Sequence, residues 1–246
     1  MAFKPNFTKK KKRRVHGTTF WDAEYTNPTH LKLSTAESED LAKFMRWLGR
    51  QDRTDLFVPG SPIVDIGCGN GRNLIYLARE FGFSGFGYDI SAAAIAQART
   101  ASQGFPLMYT TGTGATPLAS LEAESQAIAL DMMVSHFFDR ATRTQVRDEI
   151  FRVLKPGGFL FMKTFLRDDD LHTARLVKEF PGPEPFSYIH PVMGVAEYVY
   201  DEATLVDFLS EKFIVRKIYR SHKHRSHGKA NKRRTISIYA EKDFRT

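Results

Sequence analysis

The residues best placed to do chemistry lie in Val64-Asp65-Ile66-Gly67-Cys68-Gly69-Asn70-Gly71-Arg72-Asn73. A short apolar run ends in glycines and leads into a helical pattern. Such a turn lets a ligand approach the backbone where a side chain would obstruct it, and it aims helix N–H groups at that ligand. The spacing separates two ligand classes. A dinucleotide fingerprint, G-x-G-x-x-G, requires glycine at position 72, which is Arg, and the glycines here fall at 67, 69 and 71. NAD and FAD are therefore disfavoured. About twenty residues on, Gly87-Tyr88-Asp89-Ile90 sets a carboxylate at the tip of the next apolar run, where an acid can accept both hydroxyls of a ribose. The bland alternative is ordinary turn chemistry in an α/β domain.

The elements needed to position these residues follow in order. Ile63–Ile66 reads as a buried strand and the chain from the glycine turn to about Arg79 as a helix; Phe86–Ile90 and Leu107–Thr111 read as strands around a helix from Ala92 to about Ala101. Ala127–Val134 and Phe159–Phe165 are two more strands, separated by a helix over 143–154 that ends at Lys155-Pro156-Gly157-Gly158. A helix from about Glu202 to Leu209 precedes two last strands near 213–220 and 235–241. Repeated βα units of this length predict an α/β fold, a mostly parallel sheet with helices on both faces. Ahead of it, Ser34 and Glu37 have capping-box spacing, and Leu41, Phe44, Met45 and Leu48 recur on one face, predicting a helix within 33–54. Residues 1–16 read as a basic, disordered arm, and 17–246 as one domain carrying an insertion at 166–198 that is too long for a plain loop.

The segment 63–73, Asp89 at the second strand tip, and Arg152-Val153-Leu154-Lys155-Pro156-Gly157-Gly158 resemble the class I methyltransferase superfamily. The resemblance implies a Rossmann-like seven-stranded sheet in the order 3-2-1-4-5-7-6 with the last strand antiparallel, and S-adenosylmethionine as cofactor. It implies that Asp65, Gly67, Gly69 and Gly71 line the methionine end, with Asn73 in the same cofactor-binding segment. Asp89 would hold the ribose and Ile90 the adenine. The family usually has an acidic or polar group near the adenine amine; Thr111-Gly112-Thr113 offers no acid there. Thr19-Phe20-Trp21-Asp22-Ala23-Glu24-Tyr25 resembles an aromatic opening that closes over the cofactor in several members, or else it is a staple anchoring the arm.

Ligands in such sheets sit beyond the carboxyl ends of the strands, so the acceptor is expected at the tip of strand four, Asp131 to Asp139. Transfer from an activated sulfonium needs mainly proximity, with a base only for acceptors that arrive protonated. His136 is the candidate base, against a packing role on Phe137; Asp131 is the second candidate, against a structural hydrogen bond. Nothing near strand four reads Asn-Pro-Pro-Tyr or Asp-Pro-Pro-Tyr, and Cys68 sits in the glycine turn, so methylation of base amines and of pyrimidine carbon 5 is disfavoured. Asp168-Asp169-Asp170 points in divergent directions and reads as a solvated turn; no metal site is expected.

Fourteen of the 36 basic residues lie in two acid-free segments, residues 4–14 and 220–234, and the remaining 22 face 28 acids. The net charge of +8 thus belongs to an arm and a loop, which could bring in nucleic acid or an anionic acceptor. His222 to His227 lies in that loop, where surrounding charge opposes a metal cation. One cysteine excludes a disulfide framework, and no apolar run approaches a bilayer span. The expectation is a cytoplasmic enzyme, with a nuclear location open to it if the chain is eukaryotic, that methylates an O, N or S nucleophile of a small metabolite in preference to RNA or protein lysine. The rival is a non-catalytic nucleic-acid-binding protein on the same scaffold.

Overall fold

The computed structural model describes residues 17–31, 33–51, 56–221, 225–226, 229–230 and 232–243. Its helices are α1 (Gly17–Thr26), α2 (Glu39–Leu48), α3 (Arg72–Phe81), α4 (Ala92–Ala101), α5 (Arg140–Val153), α6 (Leu171–Glu179) and α7 (Glu202–Ser210). The main sheet comprises β1 (Pro62–Ile66), β2 (Ser84–Asp89), β3 (Leu107–Thr111), β4 (Gln126–Met132), β5 (Leu154–Phe165), β8 (Ile214–Arg220) and β11 (Thr235–Glu241). Two small ladders stand apart from it: β6 (Ser187–Ile189) with β7 (Ala196–Tyr198), and β9 (Arg225–Ser226) with β10 (Lys229–Ala230). The strand order is β3-β2-β1-β4-β5-β11-β8, and β11 runs antiparallel to both neighbours, the expected seven-stranded arrangement.

The parallel strands lack alternation because both faces are covered. Val64, Ile66 and Leu160 pack on one side with Val146 and Ile150 of α5 and Leu205 and Leu209 of α7. Ile63, Leu130 and Phe161 pack on the other with Phe44 of α2, Leu74 and Leu77 of α3 and Ile95 of α4. Every carboxyl end of β1, β2, β3, β4 and β5 therefore opens on one edge of the sheet.

Two sequence expectations change. The first ordered turn of α2 is not at Ser34: the Ser34 hydroxyl accepts the Ala36 N–H at 3.1 Å, closing a local turn, and Ser38 is the N-cap. A serine that bonds its own neighbourhood competes with helix initiation. The predicted apolar face still holds, with Leu41, Phe44, Met45 and Leu48 buried. The aromatic segment 19–25 is a helix of its own, α1, and the insertion 166–198 is α6 followed by the β6–β7 hairpin. The basic arm and residues 222–224, 227–228 and 231 of the second basic segment lie outside the described residues. No helix among the described residues is long and apolar enough to cross a membrane.

Candidate active site

The glycine turn joins β1 to α3, and Gly67, Gly69 and Gly71 take φ of 63°, 55° and 77°. At Gly69 a Cβ would stand 2.3 Å from the Tyr25 hydroxyl, so bare backbone is required there. The Gly69 N–H donates to Asp89 Oδ2 and the Ser91 N–H to Oδ1, both at 2.9 Å. Asp89 at the tip of β2 is thus fixed before any ligand arrives. Burial pushes its carboxyl above the ordinary range, while the Ser91 and Gly69 N–H groups pull the other way.

Helix α1 closes the near side. Asp22 accepts the Ser91 hydroxyl at 2.7 Å and the Ala93 N–H at 3.2 Å, and Gln97 donates to the Tyr25 carbonyl at 2.5 Å, which docks α1 on α4. Glu24 collects the turn that follows, accepting from His30 Nδ1 at 2.6 Å, the Thr29 hydroxyl at 2.9 Å and the Leu31 N–H at 2.9 Å. Burial alone would raise this carboxyl, but those bonds from His30, Thr29 and Leu31 outweigh it and hold it at about 2. Phe20 is buried as an anchor, while Trp21 and Tyr25 face the cavity. Staple and cover are both present, on different residues of one helix.

The cavity so enclosed has a volume of about 750 Å³, in the upper part of the range for small-molecule sites. One part of its lining is the glycine turn and the neighbouring strand tips: Gly67, Gly69, Asn73, Asp89, Ile90 and the Gly112-Thr113 pair. Its other half is apolar, walled by Met132 and Met133 at the end of β4, Phe137 and Phe138 beyond it, and Ile189 and Val195 from the hairpin. Met133 takes a φ of 67°, and the Lys163 carbonyl on β5 accepts its N–H at 2.8 Å. The insertion does reach the site.

Of the residues singled out from sequence, Gly67, Gly69, Asn73, Asp89 and Ile90 line the cavity. Asp65 and Gly71 stand just behind it: Gly71 caps α3, and Asp65 is buried with Oδ2 unpartnered among the described residues. Burial, then the negative charge of Asp89, raises the Asp65 carboxyl well above the ordinary range despite the cation of Arg72. An orphaned acid behind a glycine turn suits an ammonium, and the fixed Asp89 suits a ribose, so these residues fit S-adenosylmethionine.

Neither candidate for acid–base work meets the cavity. His136 is buried between Phe137 and Phe165, at ring separations of 4.2 and 5.1 Å, and both ring nitrogens lack partners among the described residues. Burial lowers it to about 4, with Glu197 opposing and Arg233 assisting. Asp131 accepts the N–H of Ser135 at 3.2 Å and its hydroxyl, and burial pushes the carboxyl up to about 6 against those bonds. The alternation of β4 turns Asp131 away from the cavity, and the short turn after it, Ser135–Phe137, buries the imidazole.

The three aspartates diverge, but the turn is not solvated throughout, since Asp170 is buried. Asp168 accepts the Glu202 N–H at 3.0 Å, Asp169 pairs with Arg234 at 3.2 Å, and Asp170 caps α6 through the Thr173 N–H at 2.9 Å. No group of metal-ligand residues occurs among the described residues. Three cations of the second basic segment are paired: Arg220 with Glu202 at the surface, and Arg233 and Arg234, both largely covered, with Glu197 at 2.8 Å and with Asp169. One lining residue escaped the sequence reading. Lys163 is the only charged residue in the run Phe159–Phe165, and that lone charge was the signal.

A methyltransferase-domain model matches residues 63–158, from β1 to the bulged start of β5. Among curated proteins, the 2-methyl-6-phytyl-1,4-hydroquinone methyltransferase of Synechocystis sp. is 27% identical over 130 residues, 52% of this chain. The matched stretch spans only 39% of that relative. A crystal structure described as a SAM-dependent methyltransferase from Methanosarcina mazei superposes with a TM-score of 0.63 at 26% identity, over 77% of this chain and 95% of the other. Magnesium protoporphyrin IX methyltransferase from Synechocystis, solved with S-adenosylhomocysteine, shares the fold at a TM-score of 0.59 and 17% identity, over 83% of each chain. The sheet order and the glycine turn are those of the S-adenosylmethionine-dependent methyltransferase fold. Residues 63–158 match a methyltransferase domain, and the chain has the fold of S-adenosylmethionine-dependent methyltransferases.

Proposed function

We propose that this chain transfers a methyl group from S-adenosylmethionine to an oxygen, nitrogen or sulfur nucleophile on a small molecule with an apolar body. The observation that carries this reading is the divided cavity, one half a ribose-binding cradle and the other walled by Met132, Met133, Phe137, Phe138, Ile189 and Val195. The named substrates of relatives fit such a wall: a phytyl hydroquinone at 27% identity, and a porphyrin and geranyl diphosphate among more distant folds. Asp89, Gly67, Gly69, Asn73 and Ile90 would hold the cofactor, with Asp65 behind them. The cofactor supplies an already activated sulfonium methyl. The chain's own task is then to align the acceptor in line with that bond and to exclude water, which Trp21, Tyr25 and the hairpin do by closing two sides.

Titration calorimetry with S-adenosylmethionine and S-adenosylhomocysteine, with NADH as control, is the first test. Labelled-methyl transfer to panels of small apolar acceptors and of RNA follows. Micromolar binding of the first two ligands, no NADH binding, and label on small molecules alone are expected. Label on RNA alone would overturn the small-molecule reading. Salt-sensitive nucleic-acid affinity without any cofactor binding would establish the non-catalytic rival.

A further inference from the structure

Among the described residues, three charged side chains line the cavity. Arg72 and Asp89 belong to the cradle, and Lys163 is the one that stands against the apolar half. Lys163 lies on β5 opposite Met132 of β4, beside the strand tip where an acceptor must sit. An ammonium on an apolar wall is costly unless something pairs with it. Its partner on the protein is Asp40 of α2, at 2.6 Å. Asp40 is shared, because Lys43 also approaches it at 3.2 Å. Two ammonium groups on one carboxylate leave a net charge of +1. One fifth of the Lys163 side chain is exposed, and an ammonium has three donors, of which Asp40 accepts one. The carboxyl of Asp40 stays ionised: burial would raise it, but bonding to Lys163 and Lys43 holds it below the ordinary range.

A simple tether between α2 and the sheet would not require the tethering cation to face the cavity. The second fact is the missing base. Among the described residues lining the apolar half there is no carboxylate or imidazole, and His136 is sealed behind Phe137. An acceptor that loses its proton to solvent, and is then bound as an anion, needs no base in the site. Resting on the methyltransferase reading, we propose that Lys163, oriented by Asp40, binds the oxyanion of a phenol-type acceptor whose ring lies against Phe137, Phe138 and Met133. Lys163 then sets both specificity and ionisation: the phenol proton goes to water, and the ammonium stabilises the oxygen that carries the nucleophilic pair. Asp40 is a positioning residue that acts through Lys163.

The probe is 4-nitrophenol, whose ionisation near neutral pH is read from its absorbance, titrated into protein saturated with S-adenosylhomocysteine. Neutral 4-nitroanisole is the matched control. The wild type is expected to lower the apparent pKa of the bound phenol and to bind its phenolate about tenfold or more tighter than Lys163→Met does, as for a charge-assisted hydrogen bond. Lys163→Arg should keep that preference, Asp40→Asn should weaken it, and 4-nitroanisole should not distinguish the variants. Equal phenolate binding by wild type and Lys163→Met overturns the proposal, as does absence of probe binding to the saturated wild type. So does a loss of S-adenosylhomocysteine affinity in Lys163→Met with phenolate binding intact, which would assign the lysine to the cofactor. If Lys163→Met does not fold, the wild-type pKa shift and the Lys163→Arg variant decide the matter. Failure of S-adenosylhomocysteine to bind the wild type at all would instead bring down the reading beneath it.

Discussion

The orientation of Asp89 is settled by the N–H groups of Gly69 and Ser91, which suits the ribose-binding role proposed for it. Asp89→Ala should therefore weaken S-adenosylhomocysteine binding at least tenfold by calorimetry, since charge-assisted bonds of about 1.5–3 kcal/mol are lost. An unchanged affinity would remove Asp89 from the site. Gly69 makes a different prediction. A Cβ there would meet the Tyr25 hydroxyl at 2.3 Å on a backbone with φ of 55°, so Gly69→Ala should lose affinity and Tyr25→Phe in the same chain should restore part of it. Additive effects in that double-mutant cycle would mean that α1 does not close over the turn.

His136 belongs to stability rather than chemistry. Its folded pKa, about 4, lies below its ordinary 6.5, so between those values the unfolded chain binds a proton that the native chain refuses. Its contribution is present above 6.5 and is lost as pH falls toward 4, on the order of 3 kcal/mol. Asp131 opposes it: a carboxyl raised to about 6 contributes below the ordinary carboxylate range, and that contribution is lost as pH rises through 6. Wild-type stability alone is thus uninformative in this window. Urea denaturation of His136→Phe beside the wild type isolates the imidazole: the variant should lose less stability on acidification from pH 6.5 to 4. Parallel curves would refute the buried neutral imidazole.

At the scale of elements, the hairpin wall of the cavity is fastened by arginines. Arg143 of α5 donates to the Phe138 carbonyl and to Glu184, both at 2.6 Å, and lies 3.9 Å from the Tyr198 ring centroid. Arg233 holds Glu197 at 2.8 Å and stacks on Phe165 at 3.3 Å, while the Tyr188 hydroxyl reaches the same Glu197 at 2.5 Å. The hairpin is therefore a fixed wall. Arg143→Met should cost about 2–3 kcal/mol by leaving the Phe138 carbonyl and Glu184 without their donor. Amide exchange should rise over 184–200 and stay unchanged over α3. Uniform exchange across the fold would contradict a local fastening.

The same fastening shows where sequence reading stops. The glycine turn and the place of Asp89 were legible because each rests on local spacing, a turn needing positive φ and a carboxylate at the next strand tip, whereas the strand order followed only from the family resemblance. The helix over 33–54 was only partly legible, since its apolar face depends on periodicity but its start depended on whether Ser34 would cap a helix or close its own turn. The hairpin and its arginines were not legible. Arg233 and Arg234 sit in a basic run that reads as an anion-attracting loop, and only the tertiary meeting with Glu197 and Asp169 turns them inward. His136 misled for a related reason: strand alternation does not reveal which way the short turn after β4 points its side chain.

For the whole molecule, the cavity is where otherwise separate parts meet: α1, the β1–α3 turn, the tip of β4, Lys163 on β5 and the hairpin. β8, at the far edge of the sheet beyond β11, contributes no residue to it. A ligand that binds only the native state stabilises it by about 2.7 kcal/mol when present at a hundred times its dissociation constant. That stabilisation should be unevenly placed. With S-adenosylhomocysteine at this excess, exchange should slow first in α1, whose Trp21 and Tyr25 face the site while its backbone is tied to α4 through Asp22 and Gln97. The glycine turn and the end of β4 should follow, and Ile214–Arg220 should change least. Protection confined to the glycine turn would mean that α1 stays open over a bound cofactor and that water is excluded only when the acceptor arrives. Protection of α1 by the cofactor alone means that the near side closes first and that the acceptor must enter past the fixed hairpin. The order of ligand binding is therefore written in which helix the cofactor protects.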